Sequence, residues 1–232
     1  MTVRVATYNL HGLRDSVPAL TRVIAAARAD VWCVQEAPRF GRWRARRAAL
    51  AAAAGLTVAT PGRVGGVAVL TGRRVRVLHA QHHALRAFIG LERRGLAIAV
   101  VQAEGGARLA VGSLHLDLRD AARMHHAAEA MALMEAVAAR YDATIVLAGD
   151  INERAHQPAW RYLAGRLADC YAVAPKGDGL TFPAKGPSAR IDGVFAARGT
   201  RIVSCGGVDA AIADLTGASD HLPVVAELRV GH

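Results

Sequence analysis

Lysine, aromatic residues and cysteine are all scarce in this sequence of 232 residues. Lysine occurs only at Lys176 and Lys185, so 27 of the 29 basic residues are arginines. Aromatic side chains make up 5% of the chain, which leaves few platforms on which nucleobases would stack. The three cysteines, Cys33, Cys170 and Cys205, form no C-x-x-C pair, and an odd number cannot close into a full disulfide framework. That excludes a cysteine-based structural zinc site and a disulfide-stapled scaffold, and fits a reducing compartment. No apolar run reaches the roughly 18 residues of a membrane helix. The first residues arrive at Asn9 and His11 without the sustained apolar stretch of a signal peptide. A soluble, cytoplasmic protein is the expectation. No Ser/Pro/Gly-rich linker divides the chain, so one domain over residues 1–232 is the simpler reading.

What is abundant is apolar sequence, at 53%, enough to bury a full core and to exclude disorder as the main state. The net charge of +10 invites a nucleic-acid or anionic-membrane partner. Its weight is small, because the arginines are scattered over an alanine-rich chain. Short β-branched runs alternate with stretches of helical period. Strands are predicted over residues 3–8, 31–35, 56–59, 67–70, 75–79, 96–102, 108–114, 144–148, 191–196, 201–208 and 224–230. Helices are predicted from the Ser16 cap with Pro18 in its first turn, over 43–54, over 120–141 and near 158–163, with a Pro/Gly-rich loop from 175 to 187. Hairpins mixed with helical crossovers suit a pair of mixed sheets covered by helices better than one doubly wound parallel sheet.

Several of these strands end in polar residues: Asn9, Glu36, His115, and Asp150 with Asn152. Asp192 opens a strand, and Asp220-His221 immediately precedes the last one. A strand end is held rigidly by its sheet yet lies at the rim, where ligands reach it. Each residue alone has a plain structural explanation. Asp-x-Asn after a strand is commonly an Asx-turn.

Together, Asn9-Leu10-His11-Gly12, Gln35-Glu36, Ser113-Leu114-His115-Leu116, Gly149-Asp150-Ile151-Asn152, Arg190-Ile191-Asp192 and Ser219-Asp220-His221-Leu222-Pro223 resemble, in order, the motif series of the endonuclease/exonuclease/phosphatase superfamily. Leu180-Thr181-Phe182-Pro183 also looks like that family's approach to the Asp192 strand. The resemblance runs from residue 3 to about 228. It implies an α/β fold, a four-layer sandwich of two packed mixed β-sheets flanked by helices. It also implies divalent-metal-dependent hydrolysis of a phosphate ester, with a phosphodiester expected and water attacking in line.

Such hydrolysis needs charge neutralised on the phosphoryl oxygens, a positioned water and help for the leaving oxygen. Carboxylate, amide and water ligands suit Mg²⁺ or Mn²⁺ rather than zinc. Glu36 is the principal metal-ligand candidate, with Asn9 and Asp220 in support. By resemblance, Asp150 orients or deprotonates the attacking water, and Asn152 holds that water or a phosphate oxygen. His221 hydrogen-bonds the phosphate with Asp192 fixing its tautomer, and His115 contacts a phosphate oxygen or protonates the leaving group.

The sequence departs from the family's abasic-site branch, which carries Tyr-x-Pro-Asn where this chain has Ser113-Leu114-His115-Leu116. The His form resembles the deoxyribonuclease-like and sphingomyelinase-like members. His126 stands where related members often carry Gln, and it reads with Arg123 as helix packing. The run from Arg42 to Arg47 is taken as a solvated helix face in preference to an anion-binding arm. Arg93-Arg94 is balanced between reaching a phosphate and a hairpin-tip charge pair. The substrate is left open between nucleic acid, a small phosphodiester or phosphomonoester, and a lipid headgroup. A phosphate-binding protein without catalysis ranks last, because every acid and histidine of the series is present.

Overall fold

The computed structural model describes residues 1–231. Its strands form two sheets. In the seven-stranded sheet the spatial order is β10 (Pro175–Lys176), β12 (Arg201–Gly206), β13 (Val224–Arg229), β1 (Thr2–Asn9), β2 (Val31–Gln35), β4 (Ala68–Thr71) and β3 (Thr57–Val58). In the six-stranded sheet it is β5 (Val75–Ala84), β6 (Gly95–Ala103), β7 (Arg108–His115), β8 (Thr144–Asp150), β11 (Asp192–Ala196) and β9 (Ala168–Asp169). Both sheets are mixed. Each has a parallel pair at its centre, β1 with β2 and β7 with β8, flanked on both sides by antiparallel neighbours.

The layers follow from the two-residue period of the strands. On β1, Val3 and Val5 enter the core between the sheets, while Ala6 and Tyr8 turn outward. On β6, Ala97, Ala99 and Val101 face inward, and Leu96, Ile98 and Val100 face out. The inner faces are rich in Val and Ala, which lets the sheets pack closely. The larger outer residues meet helices. α1 (Val17–Ala27), α2 (Trp43–Ala53) and α6 (Ile212–Ala218) lie with the seven-stranded sheet, and α3 (Asp120–Tyr141) and α4 (Pro158–Arg166) cover the other. The result is the four-layer sandwich expected from the sequence. Ser16 caps α1 by accepting from the Ala19 N–H at 3.3 Å, with Pro18 in the first turn.

The structure corrects several expected boundaries. The strand predicted over 75–79 continues to Ala84 through a bulge between Val77 and His79, so His82 and His83 lie within it. The strand predicted over 56–59 shrinks to Thr57–Val58, and α6 falls in a stretch assigned no element. A short helix, α5 (Cys170–Val173), capped by Asp169, was likewise not expected. The 42–47 run is not simply a solvated face. Arg47 is buried and donates to the carbonyls of Pro38 at 2.7 Å and Gly62 at 2.8 Å, so it pins the loop that follows β2.

Gly149 on β8 pairs with Leu114 on β7. A Cβ there would lie 1.9 Å from the Leu114 carbonyl oxygen, which is backbone and cannot swing aside. Gly149→Ala is therefore expected to cost about 1–3 kcal/mol or more, read as a lower urea midpoint with an unchanged slope.

Candidate active site

The topology decides which residues meet. Strands of a parallel pair end on the same edge, and an antiparallel neighbour begins there. Thus Asn9 closes β1 beside Gln35, the last residue of β2, and Glu36 follows directly. In the other sheet His115, Asp150 and Asp192 lie side by side, since His115 pairs with Asp150 and Asp150 pairs with Asp192. His221 precedes β13, which pairs with β1. All six residues reach one edge of the sandwich.

Beneath them a polar seam joins the sheets. Thr7 Oγ1 donates to Gln35 Oε1 at 3.2 Å, Gln35 Nε2 to Ser113 Oγ at 3.2 Å, and Ser113 Oγ to the Val34 carbonyl at 3.0 Å. These are buried groups whose bonds are satisfied across the interface, so the two strand bundles are fixed in relative height.

Asp150 is the focus. It is 1% exposed. Its Oδ1 accepts from the Asn152 N–H at 3.0 Å, and its Oδ2 accepts from Asn9 Nδ2 at 3.1 Å. The Nε2 atoms of His115 and His221 stand 3.5 and 3.7 Å from the same Oδ2. Asn9 Nδ2 also donates to Glu36 Oε1 at 3.2 Å, while Asn9 Oδ1 accepts from the His11 N–H at 3.0 Å. Its amide therefore bridges the two carboxylates as a donor. His221 Nδ1 lies 2.9 Å from Asp192 Oδ2. Phe182 packs against the His221 ring with centroids 4.8 Å apart, and Thr181 Oγ1 accepts from the Ile191 and Asp192 N–H groups. Glu36 and Asn152 adopt positive φ, at 48° and 54°, conformations unfavourable for non-glycine residues and concentrated at functional sites.

Electrostatics separates the roles. Burial raises the Asp150 carboxyl, Asp192 adds to the rise, and His221 with the Asn9 and Asn152 donors opposes it; the net is a rise. At His221, burial works against the charged form, but Asp192, Asp150 and Asp220 outweigh it and the imidazole is pushed up to about 9. It is an imidazolium between two carboxylates at neutral pH. His115 moves the other way. Burial, then Arg94, His221 and Arg39, hold it well below the ordinary value, so it is neutral.

Asp220 makes no hydrogen bond or ion pair to Asp150, Asp192 or His221 among the described residues, although its charge helps to raise His221. Its carboxylate faces His11 Nδ1 at 3.8 Å and accepts from Ser219 Oγ at 3.4 Å. Asn152 donates through Nδ2 to the Leu116 carbonyl at 3.1 Å. Ser219 also donates to the Asn9 carbonyl at 2.7 Å, tying the Asp220-His221 loop to the end of β1. Ser219, Thr181 and Phe182 lie in motif segments but carry no role in the sequence reading; in the structure they hold neighbours.

Two groupings have the chemistry to hold a cation. Asp150, Asp192 and His221 offer ligand atoms all within 4.8 Å of one another. There, His221 already supplies the positive charge between the two acids. Glu36, only half buried, shares the Asn9 amide with Asp150 and faces a cleft of about 340 Å³ whose walls include His115, Arg39 and Arg94. These are hard oxygen donors, and they fit Mg²⁺ or Mn²⁺.

The expectation that Arg123 and His126 are packing residues holds. His126 Nε2 lies 2.9 Å from the Arg86 carbonyl oxygen. Arg123 donates to Glu153 Oε1 at 2.8 Å, to the Asp117 carbonyl at 3.1 Å and to Asp120. Glu153 Oε2 in turn accepts from the Ala159 and Trp160 N–H groups at the start of α4. Arg123 thus clamps the loops that follow His115 and Asp150. Arg123→Met leaves Glu153, 1% exposed, without its counter-charge; an expected loss of about 3–5 kcal/mol is measurable by chemical denaturation. Glu153→Gln, whose side-chain oxygen still caps α4, should cost less.

The sequence model of the Endonuclease/Exonuclease/phosphatase family matches residues 6–221. No curated protein matches the sequence as a relative. Among solved structures, the fold is shared with a mannosyl-6-phosphatase from Bacteroides thetaiotaomicron, at 18% identity and a TM-score of 0.81 over 98% of this chain and 100% of that one. It is shared with the human Nocturnin catalytic domain bearing a sulfate anion, at 15% identity and a TM-score of 0.73 over 98% and 94%. It is shared also with D. rerio TDP2 in complex with a single-strand DNA product, at 16% identity and a TM-score of 0.73 over 99% of each chain. The chain belongs to the Endonuclease/Exonuclease/phosphatase family.

Proposed function

We propose that the protein is a divalent-metal-dependent phosphodiesterase in which a water activated at Asp150 attacks phosphorus in line. The observation that carries this reading is the environment of Asp150: one carboxylate, raised by burial, faced by an imidazolium and a neutral imidazole and fixed by Asn9 and the Asn152 amide. A carboxylate raised toward the working pH is suited to take a proton from water.

In the step itself the water oxygen bonds to phosphorus, its proton passes to Asp150, the ester P–O bond opposite breaks, and the departing alkoxide takes its proton from solvent. Asn152 orients the water or a phosphoryl oxygen. His221 donates to a phosphoryl oxygen, and Asp192 holds it by Nδ1 and keeps it charged. The neutral state of His115 favours a hydrogen-bond donor to phosphate over the acid for the leaving oxygen; of the two histidines, His221 is the one with a proton to give. Glu36 would hold the cation, with Asp150 beside it; Asn9 would join them through Oδ1 only on releasing the His11 N–H, and Asp220 only on turning from His11. When bound, the cation neutralises charge on the phosphoryl oxygens.

Phosphomonoester hydrolysis and nuclease action are the competing substrate readings, and the neighbours named above include a phosphatase and a DNA-bound protein. The Ser-Leu-His-Leu segment around His115 supports the deoxyribonuclease-like and sphingomyelinase-like branch. Among the described residues no helix is long and apolar enough to cross a membrane. Three free, buried cysteines support a cytoplasmic setting.

A Mg²⁺-supplemented screen over DNA, RNA, small phosphodiesters and phosphomonoesters is expected to show turnover of a diester. EDTA or Glu36→Gln should lower it by about a hundredfold or more, with the melting curve of the variant unchanged. Steep loss of activity with salt would identify a polynucleotide substrate, since phosphate contacts release counterions. No hydrolysis of any ester, or full activity in EDTA, would refute the reading.

The pH profile is a second test. Below its raised pKa His221 is protonated, so activity should fall as pH rises through about 9. Asp192→Asn removes the strongest influence raising it and should carry that alkaline limb down toward the ordinary histidine value of about 6.5. An alkaline limb that stays in place would contradict the assigned coupling.

A further inference from the structure

The cleft that opens from Glu36 and His115 is walled by four arginines, Arg14, Arg39, Arg46 and Arg94. They come from four separate segments: the loop after β1, the loop after β2, helix α2 and the end of the β5–β6 loop. Two features mark them as more than solvated surface.

The first is Arg94. It is 5% exposed, yet its Nε has no hydrogen-bond partner and stands 3.5 Å from Asp117 Oδ2. That contact is an ion pair without a full hydrogen bond, so the buried guanidinium is charge-compensated but not fully hydrogen-bonded, and a further acceptor would complete its bonding. The second is the balance of charge. The carboxylates lining the cleft are Glu36, which the proposed reaction uses, and Glu92. Glu92 is shared: it pairs with Arg39 through Oε1 and with Arg94 NH1 through Oε2 at 3.3 Å. Among the described residues no carboxylate pairs with Arg14 or Arg46. Arg94 is offset by Asp117 as well, so the guanidinium groups of the cleft that no acid neutralises are Arg14 and Arg46, and Glu92 stands between Arg39 and Arg94 as an anion would.

We propose that Arg39, Arg46 and Arg94, with Arg14, form a subsite for a second phosphate group of the substrate, separate from the phosphate that is hydrolysed. The proposal rests on the phosphoesterase reading for the scissile group. Guanidinium groups bind phosphate oxygens through paired N–H donors and stay charged at any physiological pH. A cleft of about 340 Å³ lies at the small end of ligand sites and accommodates a compact substrate. The second phosphate is either a terminal phosphomonoester on such a substrate or the next diester of a polynucleotide. Glu92 then acts as a placeholder that such a group displaces.

Kinetics on matched pairs tests this. Thymidine 5′-(4-nitrophenyl phosphate) is compared with its 3′-phosphorylated form, and the dinucleotide TpT with the trinucleotide TpTpT. Wild type is expected to prefer the member carrying the extra phosphate by about tenfold or more in kcat/KM, mostly through KM. A preference in the first pair alone identifies a terminal monoester, and one in both pairs a polynucleotide. The preference ratio should collapse toward one in Arg46→Gln, an exposed position whose substitution does not threaten the fold, and in Arg94→Gln. Glu92→Gln should move the ratio the opposite way, raising it several-fold.

Binding is read separately by titrating inorganic pyrophosphate into metal-free protein by calorimetry. Arg46→Gln and Arg94→Gln should each weaken it by about tenfold, and Glu36→Gln should not weaken it. If no ester is hydrolysed but pyrophosphate still binds in this arginine-dependent way, the reaction class fails and the subsite stands. A wild-type ratio near one, or pyrophosphate binding indifferent to both arginine substitutions, would overturn the subsite.

Discussion

The side-chain amide of Asn9 is the contact on which the rest of the site depends. It donates to Glu36 on its own sheet and to Asp150 on the other, and its oxygen is committed to the His11 N–H. One planar group thereby sets the spacing of two carboxylates that belong to different sheets. Two acids brought close together repel, and donors between them offset that cost. The seam of Thr7, Gln35 and Ser113 below and the Ser219 bond to the Asn9 carbonyl above keep the amide where it is. The site is therefore a property of how the sheets pack, and its precision comes from strand ends rather than from long loops.

Much of this was legible in the sequence because strand ends have a fixed address. A two-residue period identifies which face each side chain takes, and a parallel pair must bring Asn9 and Glu36, or His115 and Asp150, to one edge. What the sequence did not reveal is of a different kind. Arg47 reads as one more arginine on an Ala/Arg helix, and only the fold shows that it is buried against carbonyls behind the Glu36 loop. α6 is a short helix whose residues, apart from Ala218, are not deeply buried, so its apolar period is weak. The opposite protonation preferences of His115 and His221 are invisible in sequence, because they depend on which acids and arginines arrive from elsewhere. Asp220, adjacent to His221 in sequence, faces His11 instead of the Asp150 cluster.

The net charge of +10 acquires a location. Of the arginines, Arg47, Arg123 and Arg190 are structural, held by carbonyls or by Glu153 and Asp169. Arg14, Arg39, Arg46 and Arg94 line the cleft leading to the site. An excess of positive charge at the entrance to a phosphoester site concentrates anionic substrates and lowers the cost of bringing phosphate oxygens beside carboxylates. Burial chiefly keeps His115 neutral, and Arg94 and Arg39 of the cleft add to it together with His221, so the cleft arginines act electrostatically on the Asp150 cluster.

The central claim is that water, activated at Asp150, attacks phosphorus directly, with no side chain becoming bonded to the phosphoryl group. The most direct measurement is the stereochemical course of hydrolysis of a chiral phosphorothioate diester in ¹⁸O-labelled water. A single in-line displacement predicts inversion at phosphorus. Net retention would require two displacements through a covalent phosphoryl-enzyme and would contradict the account.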